Sequence, residues 1–268
     1  MKKFKWLALC FVLVLALGVL AGCGNNEANN NENNNGNDNG DAEAAETLIM
    51  GTNAEFAPFE FINDDNEYDG FDVDMAKMIA DELGMELEID NMAFDGLISA
   101  VLSERVDMAV AAMTITEERQ EEVNFSDPYI NAGQVIVVLE DNDEIQSVED
   151  LQEDKSVAVQ LGTTGDIEAS RIVDDSNIVR LQQINAAFME LETGRVDAVI
   201  VDNPVAQRYI NTMGSLKMVG EPLTEEYYGI AVNKDNTELL EQINQALANI
   251  KEDGRFDELI VKWFADEE

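Results

Sequence analysis

The chain has 268 residues, 46% of them hydrophobic, and carries 56 aspartates and glutamates against 16 lysines and arginines, a formal net charge of −40 without a single histidine. An acid excess of this size excludes nucleic acid as a partner, because phosphate binding needs a basic face. With no histidine, no cysteine after residue 23 and no G-x-S-x-G or phosphate-binding loop, the usual nucleophile–base sets of enzymes are missing. A non-enzymatic protein without cofactor or metal is expected.

The chain opens on Lys2, Lys3 and Lys5, followed by an apolar run from Trp6 to Leu20 and the small residues of "LAGC" (20–23). This is the pattern of a secretory leader over residues 1–22, too short and wrongly flanked for a stable membrane span. "LAGC" also resembles a bacterial lipobox, in which cleavage before Cys23 leaves that thiol to carry lipid; an ordinary leader with a chance cysteine is the alternative. The only other cysteine, Cys10, lies inside the leader, so the mature fold has no disulfide and rests on its core. Loss of the three leader lysines would take the net charge to −43, a self-repulsion that salt at about 1 M would screen within ~3 Å.

Residues 24–46, "GNNEANNNENNNGNDNGDAEAAE", contain no large apolar side chain and cannot bury enough surface to order themselves. They read as a flexible tether of about 27 Å reach. The 222 residues from 47 to 268 suffice for one to two domains.

From residue 47 onward, short apolar strands alternate with amphipathic helices, the pattern of an α/β protein. "TLIMGTNAEF" (47–56) is a strand running into Gly-Thr. "DNEYDG" (65–70) has calcium-loop character, but Ala76 stands where the terminal glutamate belongs, so it reads as a turn. "FDVDMAKMIADELG" (71–84) spaces Met75, Met78, Ile79 and Leu83 along one helical face and ends on a capping glycine. "LISAVLSERVDMAVAAMTIT" (97–116) is a helix, an Arg-Val-Asp turn, an apolar strand and a polar end. "VAVQLGTTGD" (157–166) repeats the first strand, and "AAFMELETGRVDAVIVDNPVA" (186–206) repeats the helix–RVD–strand unit. "TELLEQINQALANIKEDGRFDELIVKWF" (237–264) reads as two helices broken near Asp253-Gly254, with Trp263 and Phe264 packing inward.

The echo is either the ordinary repetition of βαβ elements or the mark of two similar lobes. Ligands on open α/β sheets bind beyond the carboxyl ends of the strands. That rule selects Thr52-Asn53 and Ala112-Met113-Thr114 in the first unit, and Gly162-Thr163-Thr164 and Asp202-Asn203 in the second.

Two charged residues in these regions stand out. Arg119 is the one cation in "AVAAMTITEERQEEVNFSDPY" (109–129). From spacing alone it makes a surface ion pair with Glu122 at i+3; its place after a strand end, where a helix begins, suits a carboxylate clamp. Asp202 is either the cap of the helix opening at "NP" or, facing an arginine across a cleft, an acceptor for an ammonium group. Together they would grip both charged ends of a free amino acid.

On these segments, together with "GTNAEFAPFEF", "YYGIAVNKDN" and "EDGRFDELIVKWF" in this order, residues 47–268 resemble the polar amino-acid-binding proteins of ABC importers (extracellular solute-binding protein family 3; glutamine-, histidine- and lysine/arginine/ornithine-binding type). The resemblance implies a two-lobed, type II periplasmic-binding-protein-like fold, each lobe a mostly parallel sheet flanked by helices. Lobe 1 would take 47–130 plus 228–268 and lobe 2 134–225, with two hinge crossovers near Tyr129–Gly133 and Glu226–Gly229.

It implies further that Arg119 clamps the ligand α-carboxylate, helped by Thr114 and by backbone donors at Thr163 and Thr164. Asp202 and the carbonyl of Ala112 would accept from the α-ammonium. Phe56 and Phe94 would be aromatic walls, core packing being their alternative, and Asn53 and Gln160 variable pocket positions. Asn53 stands where many relatives carry aspartate, which weakens the case for a cationic ligand, while Glu55 and Asp95 lie near enough to restore it. The implied partners are a free amino acid, a membrane permease and a lipid anchor at Cys23, on a monomer at the extracellular face of the cytoplasmic membrane. A sensing or adhesion lipoprotein, or a cyclohexadienyl dehydratase-like enzyme on the same architecture, are the alternatives.

Overall fold

A computed structural model describes residues 46–151 and 154–265. The leader, Cys23 and all but the last residue of the tether lie outside the described residues. The first part of the chain runs β1 (Thr47–Thr52), β2 (Glu55–Phe56), β3 (Glu60–Ile62), β4 (Tyr68–Asp69), α1 (Phe71–Leu83), β5 (Glu86–Asn91), α2 (Leu97–Leu102), β6 (Met108–Ala109), α3 (Glu117–Glu122) and β7 (Val123–Phe125). After β8 (Ile130–Ala132) come β9 (Gln134–Leu139), β10 (Val157–Gln160), α4 (Thr164–Ile172), β11 (Ile178–Leu181), α5 (Ile184–Glu192), β12 (Ala198–Asp202), α6 (Asn203–Met213) and β13 (Leu216–Val219). The chain ends with β14 (Glu226–Tyr228), β15 (Ala231–Asn233), α7 (Thr237–Glu252) and α8 (Arg255–Phe264).

Two five-stranded sheets result, ordered β5-β1-β6-β15-β7 and β11-β10-β12-β9-β13. The orders are the same if β1 is matched with β10 and β6 with β12, which are the strands that echo each other in the sequence. In each sheet four strands share a direction and one runs against them: β15 in the first and β9 in the second. The reversed strand is in both cases the one that follows a passage between sheets. Both passages lie in one antiparallel ribbon, β8 with β14, where Ala132 pairs with Glu226 and Ile130 with Tyr228. The fold is therefore two-lobed.

The repeated Arg-Val-Asp has a shared structural job. The Asp107 carboxylate accepts from the Ile49 N–H (2.7 Å) and the Asp197 carboxylate from the Ser156 N–H (2.7 Å). Each Asp thus satisfies a backbone donor in the first half of β1 or just before β10, the strand next to its own in the sheet. The arginines, Arg105 and Arg195, make surface ion pairs with Asp90 and Glu190.

Both faces of each sheet are covered. Leu97, Ala100 and Val101 of α2 pack on one face of the first sheet, and Met75, Ile79, Ile243 and Leu247 of α1 and α7 on the other. Ala169 of α4 covers one face of the second sheet, with Ile184, Phe188 and Val205 of α5 and α6 on the other. The break at residues 253–254 is present, with Gly254 at φ 90° between α7 and α8. Trp263 donates to Asp74 (3.0 Å), and Phe264 lies against Phe59 and Phe71 at 5.4 and 5.3 Å. Among the described residues no helix is long and apolar enough to cross a membrane.

Candidate functional site

The carboxyl ends of β1, β6, β10 and β12 meet between the lobes around one cavity, with an empty volume of about 290 Å³ counted to its mouth and closely drawn walls. Asn53, Phe56, Phe94, Ala112, Thr114, Arg119, Gln160, Thr163, Thr164 and Asp202 all line it, together with Glu60 and Ala111. The structure thus brings every one of the ten residues selected from sequence to a single place. Glu55 and Asp95 lie outside its wall; Glu55 instead accepts from Gln183 of the opposite lobe.

Arg119 sits in the short helix α3, whose N-cap Thr116 accepts from the Arg119 backbone N–H. Its neighbours Glu117, Glu118, Glu121 and Glu122 are exposed, whereas Arg119 is 8% exposed. The i+3 pair with Glu122 is not formed: among the described residues Arg119 makes no ion pair with any carboxylate. Its guanidinium donates to the carbonyls of Thr114 (2.8 Å) and Gly162 (3.1 Å), and lies over the Phe94 ring at 5.3 Å. Gly162 belongs to the other lobe, so the contact crosses the cleft. Burial pulls the Arg119 pKa below the usual arginine value, opposed by Asp202 and Glu226, and a guanidinium stays charged under such a shift.

Asp202 ends β12 and precedes α6. Its side chain makes no cap hydrogen bond, and Pro204 supplies the first-turn residue that lacks a donor. Freed from capping, the carboxylate accepts from the Tyr228 hydroxyl at 2.6 Å and is 5% exposed. Burial, reinforced by Glu226, raises its pKa to about 6. Tyr228 is in the β14 crossover. From beside the other crossover, Tyr129 donates in the same way to Asp72 (2.8 Å), which also takes the Ala112 N–H (2.7 Å) and whose pKa burial lifts to about 7. Ala112, whose N–H makes this contact, has φ +46°, a left-handed conformation uncommon outside glycine and concentrated at functional sites.

Opposite the guanidinium, Thr163 caps α4 and Thr164 begins it. The Thr164 N–H is in the first turn, where a helix has no internal acceptor and an anion is favoured. The hydroxyls of Thr114 and Thr164 both donate to Glu226 Oε2, at 2.7 and 2.8 Å. Their protons are committed to that carboxylate, leaving guanidinium and backbone N–H groups as the donors for a bound anion. At the far end Gln160 donates to Asn53 across the cleft (2.8 Å), and Asn53 to the Met92 carbonyl (2.8 Å). Phe56 is buried and stacks at 6.3 Å on Phe59, so it is wall and core at once.

Sequence reasoning missed Glu60, Asp72, Tyr129, Glu226 and Tyr228. A signal existed for two of them. Asp72 lies on the helical face of Met75, Ala76 and Ile79, where a charge is out of place. Glu226 shares strand parity with Tyr228, which points inward.

Two α/β lobes joined by a two-stranded ribbon, with unlike buried charges on a cavity between them, define the solute-binding proteins that hold a ligand in an interlobe cleft. Residues 48–266 match the model of the bacterial extracellular solute-binding proteins, family 3, and the chain belongs to that family. It is similar to a probable histidine-binding protein of Neisseria gonorrhoeae (31% identity, 100% of this chain and 98% of the relative). It is similar also to the arginine-binding extracellular protein ArtP of Bacillus subtilis strain 168 (33%, 98% and 99%). An ancestral arginine-binding protein, solved with arginine and again with glutamine, superposes with a TM-score of 0.78 at 47% identity over 82% of this chain and 98% of that one.

Proposed function

We propose that the protein is the extracellular binding component of an ABC importer, which captures a free polar L-amino acid between its lobes and presents it to a membrane permease. One observation carries this reading: Arg119 and Asp202, buried on opposite lobes, face one cavity, and neither enters an ion pair among the described residues. A zwitterion supplies the missing partner of each. The Arg119 fork suits the α-carboxylate, with the start of α4 as a further donor. Asp202 and the Ala112 carbonyl suit the α-ammonium. Phe56 and Phe94 flank the side chain, and Asn53 and Gln160 offer donors and acceptors to a polar end. Family relatives named for histidine, arginine and glutamine support a side chain of that kind.

A ligand touching both lobes favours the closed form by its differential affinity. In this reading residues 47–130 with 228–268, and 134–225, move as two bodies about Tyr129–Gly133 and Glu226–Gly229. Lipid on Cys23 holds a monomer at the outer face of the cytoplasmic membrane, and residues 24–46 give it reach.

The test is a thermal-shift screen of the common amino acids, followed by calorimetry. Polar amino acids are expected to raise Tm and to bind with about −8 kcal/mol, the micromolar range. The same molecules with a blocked amino or carboxyl group should not bind. If every amino acid leaves Tm unmoved, the reading is wrong.

A further inference from the structure

The cavity wall contains a third acid that the clamp described above does not use. Glu60 opens β3, is fully buried, and lines the cavity, yet neither of its carboxyl oxygens receives an N–H or O–H from any described residue. Beside it lies a second buried acid, Asp72, whose Oδ1 also lacks a donor among the described residues. Two carboxyl groups form a hydrogen bond only when a proton lies between them. The donors around the site point elsewhere. Tyr129 gives its hydroxyl to Asp72, Tyr228 to Asp202, and Arg119, on the same cavity, gives two of its N–H groups to Thr114 and Gly162 and none to Glu60. Burial, with Asp72 and Asp202 beside it, holds the Glu60 pKa well above the carboxylate range. A buried acid without a donor, at the edge of a site with a second acid, fits a cation supplied from outside.

We propose that Glu60 is a second carboxylate of the ammonium site, and that an arriving amino acid displaces one proton from the Glu60–Asp72 pair. This rests on the amino-acid reading given above. The step balances simply: the Glu60 O–H bond breaks, its proton leaves to the buffer, and the ammonium group donates N–H···O hydrogen bonds to the carboxylate formed. One positive charge enters and one departs, so the buried site never carries three bare carboxylates together. The same logic limits the ligand to an amine that carries an N–H when protonated; a quaternary ammonium has none for Glu60.

Calorimetry of the best-binding amino acid at about pH 8, in buffers of different ionisation enthalpy, tests this, since the buffer dependence of the binding heat counts protons. At that pH Asp202 and Asp72, with pKa values of about 6 and about 7, have largely lost their own protons. The intact protein is expected to release about one proton per amino acid. Glu60→Gln is expected to release none and to bind about 10- to 100-fold more weakly. Infrared difference spectra of the intact protein should show the neutral-carboxyl stretch disappearing when the amino acid is added, a readout that needs no variant. Tight binding without proton release, release unchanged in Glu60→Gln, or a carboxyl band that persists each overturns the proposal. Absence of any binding would instead overturn the amino-acid reading itself.

Discussion

Replacing Arg119 by lysine keeps the charge and removes the fork. A guanidinium has five N–H donors; two are engaged by the carbonyls of Thr114 and Gly162, which leaves three, enough for a bidentate grip on a carboxylate. Lysine has three donors on one atom. To hold the carboxylate at two points it must release at least one carbonyl, and it cannot match the planar geometry. A hydrogen bond involving a charged group contributes about 1.5–3 kcal/mol, so Arg119→Lys should lose about 2–4 kcal/mol of binding, roughly 30- to 1,000-fold.

Arg119→Ala is the harsher change. It should lose about 2–5 kcal/mol of binding, and by stranding two carbonyls it should lower Tm as well. Calorimetry gives the affinity, and a melting curve shows whether the fold survived. An Arg119→Lys protein binding within about threefold of the original would refute the clamp geometry, because nothing in that geometry lets an ammonium substitute so closely.

Asp202 gives a pH prediction. A carboxyl with a raised folded pKa costs no stability below its unfolded value of about 3.9, and its cost grows as pH rises to the folded value. With Asp202 at about 6 and Asp72 at about 7, Tm at constant salt should fall between about pH 4 and pH 7, and Asp202→Asn should flatten the slope; an unaltered slope would show that the surface acids cause it. Amino-acid affinity should run the other way, weakening below about pH 6 as Asp202 becomes neutral. Tyr228→Phe deletes the 2.6 Å donor to Asp202; the pH midpoint of binding should move up and affinity drop by about tenfold, and a midpoint that moves down contradicts the assignment. A Cβ at Gly133 would sit 2.2 Å from the Thr224 carbonyl oxygen. Gly133→Ala should therefore cost about 1–3 kcal/mol of stability by overpacking, and an unchanged melting temperature would disprove the tight crossover.

The alternation of strands and helices, the echoed central strands and the break before α8 were all legible, because period, turn chemistry and repeat are local properties of a sequence. Arg119 stood out for a different reason: it is a lone cation among glutamates, and its burial while four acids around it stay exposed removes the surface-pair reading. Asp202 was ambiguous, since a residue before Asn-Pro looks like a cap; only the Tyr228 contact from a distant strand reveals its side chain as free of that duty. Glu60 was hidden more deeply. In β3 it is fully buried while Ile62 is 46% exposed, the reverse of what hydrophobicity gives a three-residue strand, because the residue faces the cavity that the two lobes form together. Tyr129 and Tyr228 reach the site through the pairing of two crossovers about 100 residues apart, which no short-range pattern records.

The bonds that cross the cleft without help from any guest have a consequence for fidelity. Asn53 with Gln160, Arg119 with Gly162 and Glu55 with Gln183 all pull the halves together, and left unopposed they would let the jaws snap shut on water. Under the proposal made above, the acids crowded beside the crossover ribbon supply the counterweight, because closing on them without a guest leaves buried carboxyl groups unpaired, a cost that an ammonium group offsets. A molecule balanced in this manner would stay quiet against its own thermal flicker and answer to cargo.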